Sequence, residues 1–284
     1  MSVLQNKIDF VGFISVDNAN PNGDPLNGNR PRDTMESLGE ISDVCLKRKI
    51  RNRLQDMGEA IFVQSDDRCE DGYKSLKDRF DKTEEIAKLK KAEKDVVAAA
   101  ACEKWIDVRA FGQVFAFNNN DSAGVSIGVR GPVTIHQAFS IEPVEIVSTK
   151  ITKSVSGTTS KSGTKASDTM GDKHRVKFGI YKFKGSINCQ LAEKTGFTDE
   201  DAEKIKAALA TLFENDCSSA RPEGSMCIEK LFWFKHNCKS GQYSSAKVHR
   251  SVSAKPICDN PTTAQDYEFI YDESLENLTP EVLE

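Results

Sequence analysis

The sequence predicts an α+β fold whose elements follow a ferredoxin-like order. Hydrophobic periodicity indicates a strand, a helix, two strands, a second helix and a final strand along the 284 residues. Two stretches of different composition interrupt this order, one rich in Lys, Glu and Ala and the other in Ser, Thr, Gly and Lys. We therefore expect a sheet packed with helices that carries one helical and one basic insertion.

The first strand leads into a long turn-rich loop. The strand covers residues 8–16, and the loop over 17–33 is rich in Asn, Pro and Gly, which favour turns. The loop resembles the start of a calcium-binding loop, but Asn29 occupies the twelfth position, where Glu is needed. We therefore expect no calcium site, and we read Arg30 and Arg32 at the end of the loop as candidates for phosphate contact.

A basic helix follows the loop, with Ser42 as its N-cap. Its apolar face is formed by Leu46, Ile50, Leu54 and Met57. Lys47 and Arg51 are four residues apart and lie beside this face, and Arg48 lies one step further round. The helix can thus pack on the sheet while it holds cations for a polyanion, although an exposed basic helix without a ligand has the same pattern.

Residues 59–122 read as a helical insertion. Lys, Glu and Ala dominate between residues 75 and 104. Arg109 is a candidate for an ion pair with Asp107 or another nearby acid. The aromatic residues expected to anchor the insertion are Trp105, Phe111, Phe115 and Phe117.

Two further strands are predicted within residues 125–150, where Val and Ile alternate with polar residues. Gly128 and Gly131 either allow a close approach of the backbone or mark a bulge. Arg130 lies between them and is a further candidate for phosphate contact.

Residues 150–177 form the basic insertion, in which large apolar residues are nearly absent. Strand-like runs on both sides indicate a protruding hairpin. The basic residues of this insertion include Lys153, Lys161 and Lys165, and Met170 and His174 lie toward its end.

The remainder of the chain supplies the last elements of the fold. A strand is expected over 176–191, and Thr198 with Asp201 resembles a capping box that starts a helix. A last core strand is expected over 226–234. Aromatic motifs of the RNA-recognition fold are not visible, so base stacking on the sheet is not supported.

Charge is distributed unevenly along the chain. The net charge is −4, which argues against a general nucleic-acid binder. Residues 256–284 hold eight acids and no Lys or Arg, so the rest of the chain carries +4. This acidic C-terminal segment is either solvated, a barrier to misplaced nucleic acid, or a contact for a basic neighbour.

Composition also bounds cofactors and location. The eight cysteines form no CxxC pair, and a metal site of His236, Cys238 and His249 is disfavoured by its spacing. No cofactor is expected. The chain shows no signal peptide and no apolar run of membrane-spanning length, so we expect a cytoplasmic protein that does not contact membranes.

Several segments resemble a known family. The run NPNGDPLNGNRPR at 20–32, followed by DVCLKRKIRN at 43–52, is similar to the N-terminal signature of the CRISPR-associated backbone subunit of type I-C Cascade complexes. Weaker similarity continues at 107–112, 128–133 and 168–174. The chain thus resembles the RAMP superfamily, whose members have modified RNA-recognition folds.

The resemblance implies an RRM-like palm at 1–58, 123–149 and 178–255, a helical finger at 59–122 and a basic thumb hairpin at 150–177. It implies a non-catalytic scaffold that polymerises along CRISPR guide RNA, with other Cascade subunits, and presents the guide for pairing with target DNA in antiviral defence. The residues proposed to bind RNA are Lys47, Arg48, Arg51, Arg30, Arg130, Arg109, Lys153, Lys161, Lys165, Met170 and His174. Arg109 either contacts RNA or DNA or forms the ion pair named above. Met170 is either a wedge between bases or an ordinary residue of a flexible loop. Charge reversal at Lys47 and Arg51 is expected to abolish RNA binding while the protein stays folded.

Two other functions stay open. The first is a RAMP-type ribonuclease, which would use His174, Tyr181 and Lys177 for acid–base work on the 2′-hydroxyl. Alternatively, a ribonuclease of this type would use Asp33 or Asp24 of the first loop to cut target RNA. The second is a protein-interaction module that binds no nucleic acid.

Overall fold

The computed structural model describes residues 2–89, 92–116, 126–152 and 170–284. It is a mixed α/β structure built around a large antiparallel sheet. The helices, in chain order, are α1 Asp43–Asp56, α2 Leu76–Lys82, α3 Glu84–Ala87, α4 Lys94–Lys104, α5 Ile106–Phe111, α6 Cys189–Thr195, α7 Asp199–Ala210 and α8 Ser245–Arg250. The strands are β1 Ile8–Ala19, β2 Gly23–Asp24, β3 Arg30–Pro31, β4 Leu38–Ile41, β5 Gly112–Phe115, β6 Ile127–Arg130, β7 Val133–Ile135, β8 Ala138–Pro143, β9 Ile146–Thr152, β10 Met170–Ile187, β11 Met226–Lys235, β12 Val252–Pro256, β13 Tyr267–Tyr271 and β14 Glu281–Leu283.

Strand β1 lies in the middle of the main sheet. It pairs antiparallel with β10 on one side and with β11 on the other. The strand order is β14-β11-β1-β10-β8-β4, and β7 and β9 also pair with β10. Most of β1 is buried on both faces, which requires a layer of structure on each side of the sheet.

Helices cover the first face. Leu46 and Ile50 of α1 and Ile205 and Leu209 of α7 belong to one buried cluster with the sheet residue Phe10. Both helices start as the sequence indicates. The Ser42 hydroxyl accepts a hydrogen bond from the Cys45 amide at 3.2 Å, and Thr198 and Asp201 form the capping box.

The C-terminal region covers the second face. Val248 of α8 and Tyr267 of β13 pack in a second buried cluster with Phe13, whose ring centroid lies 4.9 Å from that of Phe269. Strand β13 pairs with β12, and β14 pairs with β11 at the edge of the main sheet. The acidic segment 256–284 is therefore folded onto the sheet, and the reading of it as a merely solvated tail is wrong.

The inserted helices have a small core of their own. The Phe62 ring centroid lies 4.8 Å from that of Trp105 and 5.2 Å from that of Phe115. Trp105 and Phe115 thus anchor the insertion as expected, whereas Phe111 packs against the main core. Phe117 lies outside the described residues.

The region expected to form two strands contains four short ones. The first of them, β6, pairs with β5 in a separate two-stranded sheet and packs on the core of the insertion. The partner of β6 comes from the insertion, so residues 127–130 of the expected palm segment 123–149 pair with the insertion and not with the main sheet.

Strands β9 and β10 form the stem of the basic hairpin. Their pairing runs from Ile146 opposite Val176 to Thr152 opposite Met170. Lys153, Lys161 and Lys165 lie outside the described residues. Beyond the stem, β10 continues into the main sheet beside β1.

No helix within the described ranges has the length and apolar character needed to cross a membrane.

Candidate nucleic-acid interface

The loop after β1 holds the start of α1. The side-chain oxygen of Asn22 accepts hydrogen bonds from the Ser42 amide at 2.9 Å and from the Ser42 hydroxyl at 2.8 Å. This loop residue therefore fixes the first turn of the helix, which carries Lys47. The Lys47 ammonium lies 3.0 Å from the Asp43 carboxylate one turn earlier, and the lysine side chain is 28% exposed.

Arg51 points toward the inserted helices. Its guanidinium donates to the Asp107 carboxylate at 3.0 Å and lies 5.1 Å from the centroid of the Phe111 ring. Asp107 is fully buried and also accepts the amides of Phe62 and Val63, at 2.7 and 3.0 Å. Removal of this cation would leave a buried carboxylate without its counter-ion. We therefore expect charge reversal at Arg51 to destabilise the protein, so that a loss of RNA binding in this variant would not by itself report contact with RNA.

Arg48 and Arg109 also have partners within the protein. Arg48 donates to the Val63 carbonyl at 2.6 Å, and burial lowers the pKa of Arg48. Arg109 makes a two-pronged contact with Asp201, at 2.9 and 2.6 Å. Burial raises the pKa of Asp201, but its bonds with Arg109 and Thr198 outweigh this, and the pKa falls below its usual value. The acid that pairs with Arg109 is thus not Asp107.

Two adjacent cavities lie next to α1. The first, of about 460 Å³, is lined by Lys47, Phe111 and Arg130, together with β7. The second, of about 650 Å³, is lined by Lys182 and Lys184 of β10, with residues of β8. Both cavities share Ile135 and His136, so they form one continuous surface. We call this surface the basic groove and define it by Lys47, Arg130, His136, Lys182 and Lys184.

Cations dominate the basic groove. Among the described residues that line the two cavities, Asp43 is the one acid, and it pairs with Lys47. Lys182 donates to the carbonyls of His249 and Val252 at 2.9 and 2.5 Å. Burial, together with the charge of Lys184, lowers the pKa of Lys182 to about 8. A polyanion is the ligand that this distribution of charge favours.

The remaining described candidates lie away from the basic groove. Arg30 is on β3, and the described residues give its side chain no hydrogen bond or ion pair. His174 is on the stem strand β10 and shares a 2.8 Å hydrogen bond with Ser148. Met170 is 70% exposed at the outer end of the same stem. Neither Arg30 nor His174 lines the two cavities.

Sequence analysis did not predict three residues of the basic groove: His136, Lys182 and Lys184. A signal for the lysines exists, because they alternate along β10 with the buried residues Tyr181 and Phe183. Period-2 alternation places both lysines on the face opposite the helices. No comparable signal marks His136, whose position depends on the connection between β7 and β8.

The structure argues against one catalytic candidate of the ribonuclease hypothesis. Tyr181 is fully buried, and burial together with the charge of Asp33 raises its pKa. A phenol in this position is out of reach of an RNA strand. Within the ranges that the structure covers, no three His, Cys, Asp or Glu residues are arranged to hold a metal ion.

Comparison with known proteins gives concordant matches. The family model for CRISPR-associated protein Cas7 matches residues 6–272. The CRISPR-associated protein Cas7 of Haloferax volcanii is 27% identical over 255 residues, which are 84% of this chain and 72% of that protein.

Solved structures of CRISPR complexes are also similar. A chain of an RNA-guided surveillance complex in a pre-nicking state is 12% identical, with a TM-score of 0.42, over 80% of this chain and 78% of that chain. A chain of the type III-B Cmr-beta complex bound to cognate target RNA is 12% identical, with a TM-score of 0.43, over 81% of this chain and 61% of that chain.

Proposed function

The chain belongs to the Cas7 family of CRISPR-associated proteins, and from this we propose that it is a non-catalytic backbone subunit of a type I-C Cascade complex. Several copies of the protein bind one guide RNA in the cytoplasm, beside other subunits. The RNA is held by its backbone, so its bases stay available to pair with target DNA. The N-terminal signature at 20–52 supports the subtype.

The basic groove is the observation that carries this proposal. A surface with four cations and one paired acid suits the phosphates of a single strand. Backbone contacts of this kind give affinity without reading sequence, as a guide of variable sequence requires. Lys47 and Arg130 are the two sequence candidates that the groove brings together, and Lys184 is added to them.

The architecture supports the same proposal. The four central strands follow the order β11-β1-β10-β8, with α1 after β1 and α7 before β11. We propose that this unit is an RRM-like palm, that the inserted helices are the finger and that the β9–β10 hairpin is the thumb. The second sheet face, where the RNA-recognition fold stacks bases, is covered by α8 and the β12–β13 hairpin. RNA would therefore bind beside α1 and along the part of β8 and β10 that lines the second cavity, and not across the covered part of this face.

Coexpression of the protein with a repeat-spacer array tests the proposal. The wild type is expected to purify with protected guide RNA bound by several copies of intact protein. The double change Lys47→Glu and Arg130→Glu should weaken RNA binding about tenfold or more, because it replaces attraction to phosphate with repulsion. The measurements are the absorbance ratio at 260 and 280 nm and the affinity for purified guide RNA.

Lys204→Glu is the matched control for Lys47→Glu. Lys204 is 29% exposed, against 28% for Lys47, and it too pairs with an acid one turn earlier, Glu200, at 3.1 Å, in addition to Glu59 at 2.9 Å. It lies on α7, outside the basic groove. Equal loss of RNA in the double variant and in the control, or wild-type binding in the double variant, would contradict the proposed interface.

Ribonuclease activity is the second candidate function. Asp33 is exposed in the loop before β4, where a bound RNA strand could reach it. Incubation of target and guide RNA with the protein, first without metal and then with magnesium, separates the two functions. Cleavage at regular intervals that disappears in Asp33→Ala would favour the enzyme, whereas intact RNA in both conditions would favour the scaffold.

A further inference from the structure

We propose that His136 stacks its ring on a base of the bound RNA, with one phosphate held on each side of it. This inference rests on the proposed function and adds a base contact to a groove otherwise defined by cations. It concerns a residue that lies between the two cavities and lines both.

The position of His136 is fixed by the sheet. It lies between β7 and β8, and its amide donates to the Lys184 carbonyl of β10 at 2.9 Å. Its ring meets the ring of His249 edge to face, with centroids 6.1 Å apart and planes at 78°. The His249 ring nitrogen Nε2 is in turn bonded to the Gly185 carbonyl at 2.9 Å. The imidazole is therefore supported from behind and is still exposed to the groove.

Cations stand on both sides of this ring. Lys47 and Arg130 line the first cavity, and Lys182 and Lys184 line the second. Both cavity volumes lie within the range of about 300–1,000 Å³ that is usual for small-molecule sites. A strand that runs from one cavity to the other has to pass His136, because this residue lines both.

The electrostatic surroundings favour an uncharged ring. Partial burial and the nearby charge of Lys184 lower the pKa of His136, and the attraction of Asp43 offsets this only in part. In the protein without RNA, the ring is therefore ready to stack on a base as an uncharged imidazole. Stacking tolerates every base, so the contact is compatible with a guide of any sequence.

The experiment compares His136→Ala with His136→Phe. The probe is a single-stranded RNA that carries 2-aminopurine at successive positions in separate preparations. We expect His136→Ala to weaken RNA binding roughly 5- to 150-fold, the usual effect of losing one stacked base. His136→Phe keeps a flat ring and should bind within about threefold of the wild type. The change in 2-aminopurine fluorescence on binding should persist in the Phe variant and vanish in the Ala variant.

The controls separate this inference from the proposed function. Gln190→Ala on α6 changes an exposed residue outside the groove and should change nothing. Because His136 is exposed, unchanged thermal unfolding is expected for both His136 variants. If Lys47→Glu loses RNA while His136→Ala binds like the wild type, the stacking contact is wrong and the scaffold function stands. Equal losses in His136→Ala and His136→Phe would also overturn stacking, and a wild type that binds no RNA would overturn both proposals.

Discussion

Arg51 and Lys47 are neighbours on one helix but have different surroundings. Arg51 is 13% exposed and contacts the fully buried Asp107, whereas Lys47 pairs with an acid near the surface. Buried and exposed ion pairs differ in energy because the first leaves a desolvated charge when one partner is removed. The two residues therefore belong to different functions, one in holding the insertion to α1 and the other in the basic groove.

Stability measurements should separate these two cations. Arg51→Ala is expected to lower the free energy of unfolding by about 3 kcal/mol, because Asp107 loses its counter-ion in the core. Two backbone amides still donate to that carboxylate, which keeps the loss near the lower end of the usual range. Lys47→Ala should cost about 0.5 kcal/mol or less, as usual for exposed pairs on a helix. Equal denaturant midpoints for Arg51→Ala and the wild type would contradict this assignment.

The sequence shows which basic residues can contribute charge to the basic groove, but it does not show which acidic residues they pair with. The helical spacing of Lys47 and Arg51 is visible in the chain, since it depends on residues one turn apart. The acids that pair with Arg51 and Arg109 lie 56 and 92 residues away along the chain. Such pairs arise only when the insertion, α1 and α7 are packed together, so local pattern could not assign them.

At the scale of elements, the β5–β6 hairpin connects the insertion to the main sheet. Gly131 follows β6 and lies against the end of α5. A Cβ atom on Gly131 would approach the Ala110 carbonyl oxygen to 2.3 Å and the Gly112 amide nitrogen to 2.5 Å. A Cβ atom on Gly128, three residues earlier, would meet nothing within 4 Å. The close approach that the sequence suggested is thus real at one of the two glycines, and its partner is the protein's own backbone.

These two glycines provide a matched pair of substitutions. Gly131→Ala should lower the free energy of unfolding by about 1–3 kcal/mol, because rigid backbone has to move to admit the methyl group. Gly128→Ala should change it by about 0.5 kcal/mol or less. Chemical denaturation gives both values, and hydrogen exchange should show faster opening of β5 and β6 in Gly131→Ala alone. Similar stabilities for the two variants would refute a tight junction at this point.

Two strands, β6 and β13, were not placed correctly from the sequence, each for its own physical reason. Alternating apolar residues over 127–129 predict a strand but do not say which strand it pairs with. Its partner β5 lies in a stretch whose composition is otherwise helical. In the acidic C-terminal segment, Tyr267, Phe269 and Tyr271 alternate and were a usable signal for β13, but the excess of carboxylates obscured it.

At the scale of the whole molecule, the order of the main elements followed from periodicity and caps. The long buried strands and the capped helices α1 and α7 are local features, and they lie close to where the sequence places them. The exception is the end of the strand expected over 176–191, which stops at Ile187 because α6 begins at Cys189. Apart from the alternation in β13, the second covering layer has no clear local signal, because α8 and β12 are short and depend on the sheet beneath. That layer matters for function because it covers much of one sheet face. The basic groove and its two cavities lie outside the covered area.

Salt dependence should report the number of phosphates that this surface holds. For a single strand, the logarithm of the binding constant falls with the logarithm of salt concentration by about 0.7 for each neutralised phosphate. Lys47→Ala and Lys184→Ala should therefore each reduce the slope by about 0.7, whereas Lys204→Ala should leave it unchanged. Fluorescence anisotropy of a labelled guide RNA at several potassium chloride concentrations gives the slopes. If the groove variants weaken binding but keep the wild-type slope, these lysines act by stabilising the protein and not by contact with phosphate.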